Sequence, residues 1–210
     1  LKALESYMRP GSILHLLLYA GGGRSEIRRA QKIFSVLGIE ASASGIHMAR
    51  QLLRNLPQEN LIRKNYEQKW EVECISDMNF ADMYLHPMET TFNLVKLSEL
   101  ISLTNLEFVG FSNPMSWKLE RFFQGELLER ALILPENVQR QLIEDLDPDI
   151  SHFELFLAKK PFQKNEWTDD AKLLSAQGKL SSCIGGWPGS SLYDSDLNPI
   201  EVSDLELELL

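Results

Sequence analysis

The sequence predicts an α/β fold in which a short, mixed β-sheet is covered by helices. Residues 13–20 form a nearly continuous apolar run between a Pro-Gly turn signal at residues 10–11 and three glycines at residues 21–23. Two segments with apolar residues at helical spacing follow this run. Two further apolar runs, residues 106–111 and 152–161, come late in the chain and predict two more strands.

The first strand is the element on which the prediction depends. In ILHLLLYA only His15 interrupts the apolar side chains, so we expect both faces of the strand to be covered. Leu1, Leu4 and Met8 recur at helical spacing and predict a helix before it. Ligands usually bind at the carboxyl ends of strands in open α/β sheets, so residues from Tyr19 onward are candidates for a site.

Helical periodicity and capping signals predict the remaining elements in order. A helix with a basic outer face should run from Ser25 to a stop at Gly38, and a second should run from Ser44 until Pro57 ends it. Residues 61–70 fit either a further helix or irregular chain, and residues 77–92 lack a clean period and predict mostly loop. The later segments predict a helix capped by Asn93, a short apolar helix at residues 117–123 and a helix opened by Pro135.

Composition and charge limit the classes of protein to consider. The 210 residues suffice for one domain with a small appendage, and no apolar run approaches the ~20 residues that span a membrane. Nothing at the start resembles a signal peptide, so we expect a cytoplasmic protein that does not bind membranes. Cys74 and Cys183 are too few for a disulfide framework.

The net charge of −9 is distributed unevenly. Residues 1–70 contain 11 Lys and Arg and 5 acidic residues, whereas residues 71–210 contain 10 Lys and Arg and 25 acidic residues. Because the acidic part would repel phosphate, this distribution argues against a general nucleic-acid binder.

Four sequence segments together resemble the distal half of a class I S-adenosylmethionine-dependent methyltransferase. The first is RPGSILHLLLYA with its small-residue turn and Arg24. The second and third are LEFVGF and HFELFLAKKP, which look like the antiparallel pair that closes such a sheet. The fourth lies ahead of that pair and carries Asp82, His86 and Glu89 in the pattern D-x-x-x-H-x-x-E.

The resemblance implies the C-terminal part of a Rossmann-like methyltransferase sheet, with one parallel strand, the antiparallel closing pair and inserted helices. Residues 1–162 would form this part, with residues 39–93 as a helical and loop insertion, and residues 163–210 would form a small acidic appendage. The cofactor would be S-adenosyl-L-methionine. The glycine-rich turn and the acidic residue that hold it in this family cannot be placed here, so we expect the distal half of a longer enzyme or the product of a truncated gene. Alternatively, another copy of the chain supplies partner strands, which would make a homo-oligomer.

The candidate site residues fall into three groups. Asp82, His86 and Glu89 are candidate catalytic residues, with His86 the preferred proton acceptor; structural hydrogen bonding is the alternative for all three. No metal site is predicted, because Pro87 biases His86 away from helical geometry. The candidate cofactor-binding residues are Tyr19 and Gly21, and the candidate substrate-binding residues are Arg24, Arg50 and Tyr84.

Two functions remain open. The first is transfer of a methyl group to a small-molecule or protein acceptor, which agrees with the lack of a recognisable nucleophile motif, since such chemistry mainly needs the acceptor to be aligned and deprotonated. The second is a non-catalytic interaction or regulatory domain that binds another protein through its basic helices or its acidic tail.

Overall fold

The computed structural model describes residues 1–86, 88–163, 170–176, 191–193 and 199–201. The chain divides into two compact units, Leu1–Pro161 and Phe162–Leu210. In the second unit the structure describes helix α9, Asp170–Ser175, and an antiparallel pair of β4, Ser191–Tyr193, with β5, Pro199–Glu201. Most of the predicted acidic appendage lies outside the described residues, and its assignment stays a prediction.

A three-stranded sheet forms the centre of the first unit. Its strands are β1, Ile13–Tyr19, β2, Leu106–Phe111, and β3, His152–Lys159, in the order β1-β3-β2. Because β3 runs antiparallel to both neighbours, β1 and β2 point in the same direction without touching. The antiparallel pairing of β2 with β3 confirms the predicted closing pair. The predicted parallel pairing of β1 is not confirmed, since its only strand partner in the described part of the chain is antiparallel.

The two faces of β1 differ in burial. Leu14, Leu16 and Leu18 lie in register with three fully buried residues of β3 and pack into the core beside α6. On the opposite face, Ile13 and Leu17 are 56% and 54% exposed. The prediction that both faces are covered is therefore wrong for the described residues, and the alternation of burial is that of a sheet with one open face.

Eight α-helices and three short helical turns complete the described part of the first unit. The α-helices are α1 Lys2–Tyr7, α2 Ser25–Val36, α3 Ala43–Asn55, α4 Leu61–Asn65, α5 Asp77–Tyr84, α6 Leu94–Ser102, α7 Gly125–Leu132 and α8 Glu136–Leu146. A π-helical turn, Tyr66–Trp70, continues α4, and two 3-10 turns, Pro114–Trp117 and Leu119–Arg121, follow β2. Among the described helices, none combines the length and the apolar character needed to cross a bilayer.

Helices α2 to α5 form a second core beside the sheet. Its largest fully buried side chains are aromatic: Phe34, Tyr66, Phe80 and Tyr84 pack edge to face or stacked on one another. Ser42 caps α3 by accepting a hydrogen bond from the Gly45 N–H at 3.1 Å, which satisfies one of the free N–H groups of the first turn.

Helix α5 corrects the prediction of a loop at residues 77–92. Ser76 caps the helix by accepting from the Asn79 N–H at 3.1 Å, and Phe80 and Tyr84, four residues apart, bury the same face. The apolar period is hard to see in the sequence because the helix has only eight residues.

The segment after β2 also differs from the prediction. The expected short apolar helix at residues 117–123 is replaced by the two 3-10 turns, and α7 was not predicted.

The predicted cap at Asn93 is confirmed at the start of α6, since the Asn93 side chain accepts from the Lys96 N–H at 2.9 Å. These elements place the carboxyl end of β1 beside the segment that joins α5 to α6.

Candidate active site at the carboxyl end of β1

The chain leaving β1 is fastened to residues 88–92, which we call the 88–92 segment. The Phe92 N–H donates to the Tyr19 carbonyl at 2.8 Å, and the Gly21 N–H donates to the Phe92 carbonyl at 2.8 Å. A parallel bridge joins Ala20 and Phe92. The carboxyl end of β1 and the 88–92 segment therefore lie side by side and form one continuous surface.

Four of the predicted site residues line one cleft at this surface. The cleft, of about 140 Å³, is lined by Tyr19, Asp82, His86, Met88, Glu89 and Thr90, and we call it the β1 cleft. A second cleft of about 620 Å³ shares Tyr19 and Asp82 with it and extends past Arg24 and Trp70. The three predicted catalytic residues thus meet the predicted cofactor-binding tyrosine.

Arg24 and Glu89 form a buried ion pair behind the cleft. Arg24 Nε donates to Glu89 Oε1 at 2.9 Å and Nη2 donates to Oε2 at 2.6 Å, while the two side chains are only 5% and 6% exposed. The Arg24 guanidinium also lies over the Tyr19 ring, 3.9 Å from its centroid. Arg24 is committed to these contacts, so its predicted role in binding substrate directly is not supported.

The surroundings of Glu89 keep it charged. Burial alone would raise its pKa, but the hydrogen bonds and charge of Arg24, with a further hydrogen bond from Gln31, outweigh burial and lower the pKa of this carboxyl. Both carboxylate oxygens already accept strong hydrogen bonds. These contacts make Glu89 a poor proton acceptor, and its catalytic role stays a prediction.

His86 lies exposed at the edge of the β1 cleft. Its Nδ1 accepts a hydrogen bond from the Met88 N–H at 3.2 Å, so the neutral ring must carry its proton on Nε2. In this tautomer His86 has an N–H left to donate. Its predicted role as the proton acceptor would require the Met88 hydrogen bond to break first.

Asp82 is an exposed carboxylate on α5 that faces the same cleft. In the part of the chain that the structure describes, its carboxylate has no hydrogen-bond or ion-pair partner. Its oxygens are thus free to accept a proton or a hydrogen bond, which makes Asp82 the better candidate for the proton acceptor.

Tyr84 and Arg50 do not line the β1 cleft, although Tyr84 lines a separate cleft of about 620 Å³ together with His86 and Glu89. Tyr84 is 1% exposed, and burial among the aromatic core residues raises its pKa strongly, so its side chain packs mainly in the core. Arg50 donates to the Tyr66 hydroxyl at 3.3 Å and to the Asp77 carboxylate at 3.1 Å, and its guanidinium covers the Phe80 ring. The contacts of both residues are structural, and their substrate-binding role stays a prediction.

Gly21 offers little to a cofactor. Its N–H is already used by Phe92, and a Cβ at this position would make ordinary contacts of 3.5 Å. Of the two predicted cofactor-binding residues only Tyr19 lines the β1 cleft and the second cleft, so this pair alone does not form a site for S-adenosylmethionine. The described residues contain no group of three or more His, Cys, Asp or Glu side chains arranged to hold a metal ion.

Three residues of the site were not predicted from the sequence. Gln31 donates to the Met83 carbonyl at 2.9 Å and to Glu89 at 3.1 Å, and Arg28 donates to Thr91 at 3.0 Å. Gly23 touches the loop before β3 so closely that a Cβ would lie 2.3 Å from the Ile150 carbonyl oxygen. The run of glycines was a signal for Gly23, whereas nothing in the sequence distinguished Gln31 from other polar helix residues.

Comparison with solved structures gives the fold. The chain is similar to PKMT2 from Rickettsia typhi in complex with AdoHcy, with a TM-score of 0.62 and 13% sequence identity over 81% of this chain and 34% of PKMT2. A second structure of PKMT2 gives a TM-score of 0.59 over 81% of this chain and 33% of PKMT2. Most of the chain therefore shares its fold with about a third of PKMT2.

Comparison with curated sequences gives a relative that is longer than this chain and has no described activity. The chain is 37% identical over 215 aligned positions to an uncharacterized protein of Synechococcus sp. strain PCC 6301, and the alignment includes 100% of this chain. The chain spans 52% of that relative's length. No family model matches the sequence.

Proposed function

We propose that this chain is the acceptor-side part of an S-adenosylmethionine-dependent methyltransferase. The observation that carries the proposal is that Tyr19, Asp82 and His86 meet in one cleft at the carboxyl end of β1. Ligands bind at this edge in open α/β sheets. The similar fold of PKMT2, which was solved in complex with AdoHcy, supports methyl transfer as the reaction class.

In the proposed reaction the residues of the β1 cleft act on the acceptor alone. Tyr19 forms the floor, the His86 Nε2–H donates a hydrogen bond that orients the nucleophilic atom, and the Asp82 carboxylate accepts its proton. The methyl donor would be held mainly by residues other than those described here. The acceptor is a small molecule or a protein side chain.

The open face and free edge of β1 support a place within a larger sheet. Ile13 and Leu17 are exposed, and in the described part of the chain β1 has a partner strand along one edge only, while Phe92 bonds the other edge at its carboxyl end. Further strands of a longer protein would cover the open face of β1 and pair with its free edge. The same apolar face also supports the second candidate, an interaction domain without catalysis, in which another protein covers it.

Methyl transfer from radiolabelled S-adenosylmethionine tests the proposal in the longer protein that contains this chain. We expect Asp82→Asn to lower kcat by about a hundredfold, the scale of general base catalysis. Asp145→Asn, on α8 and outside both clefts, is the control and should keep full activity. Equal transfer by wild type and Asp82→Asn would contradict the proposed role, and absence of transfer by wild type with every acceptor tried would favour the interaction domain.

Binding measurements separate the two halves of the proposal. Residues 1–210 alone should bind S-adenosylmethionine too weakly to detect at micromolar concentrations by calorimetry. Micromolar binding would show that this chain contains the main cofactor site, and the acceptor-side assignment would be wrong.

A further inference from the structure

The 88–92 segment is held from behind by three side chains that precede or belong to α2. Arg24 binds Glu89 through two hydrogen bonds, Arg28 binds Thr91, and Gln31 binds Glu89 as well as the Met83 carbonyl at the end of α5. These contacts join a segment on the sheet side to a helix of the second core. Of these contacts, only the Arg24-Glu89 pair is both charged and almost fully buried.

Burial makes this pair hard to open. Separating the two side chains would leave one charge in a site with little access to water, a cost far above that of an exposed ion pair. The Tyr19 ring covers the guanidinium as well. The pair therefore fixes the backbone at Glu89 more firmly than the hydrogen bonds of Thr91 could.

The neighbouring residue transmits this position to the cleft. The Met88 N–H, one residue before Glu89, donates to His86 Nδ1. Because Met88 directly precedes Glu89, fixing the backbone at Glu89 also fixes the position of the Met88 N–H. A ring nitrogen that accepts from an N–H cannot carry a proton, so this contact selects the Nε2–H tautomer.

We infer that Arg24 and Glu89 are positioning residues that set the tautomer of His86. The ion pair holds the Met88 N–H against Nδ1, and the ring consequently presents its Nε2–H to the β1 cleft. The inference rests on the proposed function only for the use of that N–H in methyl transfer; the control of the tautomer is independent of any reaction.

Long-range proton-nitrogen NMR of the histidine rings, recorded on residues 1–210, tests the inference without an activity assay. In wild type, the two His86 ring nitrogens should have the well separated shifts of a single Nε2–H tautomer. In Glu89→Gln, which keeps the side-chain shape but loses the charge, we expect these shifts to converge because both tautomers become populated. Glu126→Gln removes the same charge from an exposed pair on α7, where both partners are more than two thirds exposed, and should leave His86 unchanged.

Hydrogen exchange makes the result decisive. In Glu89→Gln the Phe92 amide should exchange about tenfold faster or more, because the segment opens locally once the buried pair is broken. Faster exchange at Phe92 with unchanged His86 nitrogen shifts would overturn the inference, since the segment would then move without affecting the ring. If Glu89→Gln does not fold, Arg24→Lys provides the same test, because lysine keeps the positive charge but cannot donate to both carboxylate oxygens in the geometry of a guanidinium.

Kinetics of the longer protein distinguish this inference from the proposed function. With transferase activity present, Glu89→Gln should lower kcat by about twofold to fivefold and leave KM for S-adenosylmethionine within about twofold, because the Nε2–H form of His86 is then only partly populated. A lower kcat without a change in the His86 nitrogen shifts would count against the inference. A wild type without activity would refute the proposed function, and the NMR comparison would still decide the tautomer.

Discussion

At the scale of single residues, Glu89 is held by a partner from a distant part of the chain. Its sequence pattern suggested catalysis, but its partner Arg24 lies 65 positions earlier in the chain, and no periodicity links residues so far apart. Asp82 and His86, which the pattern D-x-x-x-H-x-x-E singles out together with Glu89, line the same cleft, and their catalytic roles stay predictions. Asp82, His86 and Glu89 differ in how many hydrogen-bond partners their side chains have, and only the folded chain defines those partners.

The lowered pKa of Glu89 predicts a specific acid response. A carboxyl whose pKa is lower in the folded state stabilises the fold above its unfolded pKa of about 4.3, and this stability disappears as the pH falls through the folded value. We expect Glu89→Gln to reduce the free energy of unfolding by about 3 kcal/mol at pH 7. The difference from wild type should shrink below about pH 4, because protonated Glu89 then resembles glutamine. Urea unfolding at a series of pH values measures it, and a difference that persists unchanged at pH 3 would contradict the expected linkage.

Cys74 should be chemically inert in the folded chain. Burial raises the pKa of its thiol to about 11, and only the thiolate reacts with disulfide reagents. In a Cys183→Ser background, we expect Cys74 to react with dithionitrobenzoate at pH 8 at least about a hundredfold more slowly than free cysteine. Reaction should become fast in denaturant. Rapid labelling without denaturant would show that the core around Cys74 opens readily.

At the scale of elements, the three strands of the main sheet, the longer helices and the short α1 could be predicted, whereas α5 and α7 could not. The run from Ile13 and the periodicity from Ser25 extend over seven and twelve residues, which is long enough to define a pattern. Helix α5 has one buried pair, Phe80 and Tyr84, and its period depends on two residues alone. The open face of β1 was missed because an apolar run does not tell which of its neighbours belong to the same chain.

The turn after β1 provides a matched pair of glycines for a stability test. Gly23 lies against the backbone of Ile150 and Ser151, where a Cβ would be 2.3 Å from an oxygen, whereas Gly22 has open space around it. Gly23→Ala should lower the free energy of unfolding by about 1–3 kcal/mol through overpacking. Gly22→Ala should change it by less than about 0.5 kcal/mol. The two urea midpoints compare the variants directly, and equal midpoints would mean that the loop before β3 moves aside at little cost.

At the scale of the whole molecule, the exposed face of β1 predicts different responses in short and long chains. Leu17→Glu places a charge on the exposed face of β1 and opposite Glu154, so residues 1–210 should lose no more than about 1 kcal/mol of stability, the scale of a like-charge cross-strand pair. In the longer protein proposed above, the same change should be strongly destabilising if other strands or helices cover this face. Leu103→Glu, on an exposed residue after α6, is the control. Thermal unfolding of both proteins measures the effect, and a harmless Leu17→Glu in the longer protein would show that the face stays open there.

The order of the strands has a consequence for synthesis of the chain. Ile13 pairs with Ala158 and Leu106 pairs with Lys159, so both outer strands depend on a central strand that is translated last. Closing such a distant contact costs chain entropy before any pairing energy is gained. Until residues 152–159 leave the ribosome, the apolar ribbon of β1 has no backbone partner in its own sheet and is a natural target for chaperones. Synthesis of the final strand is the event that commits the unit to its fold.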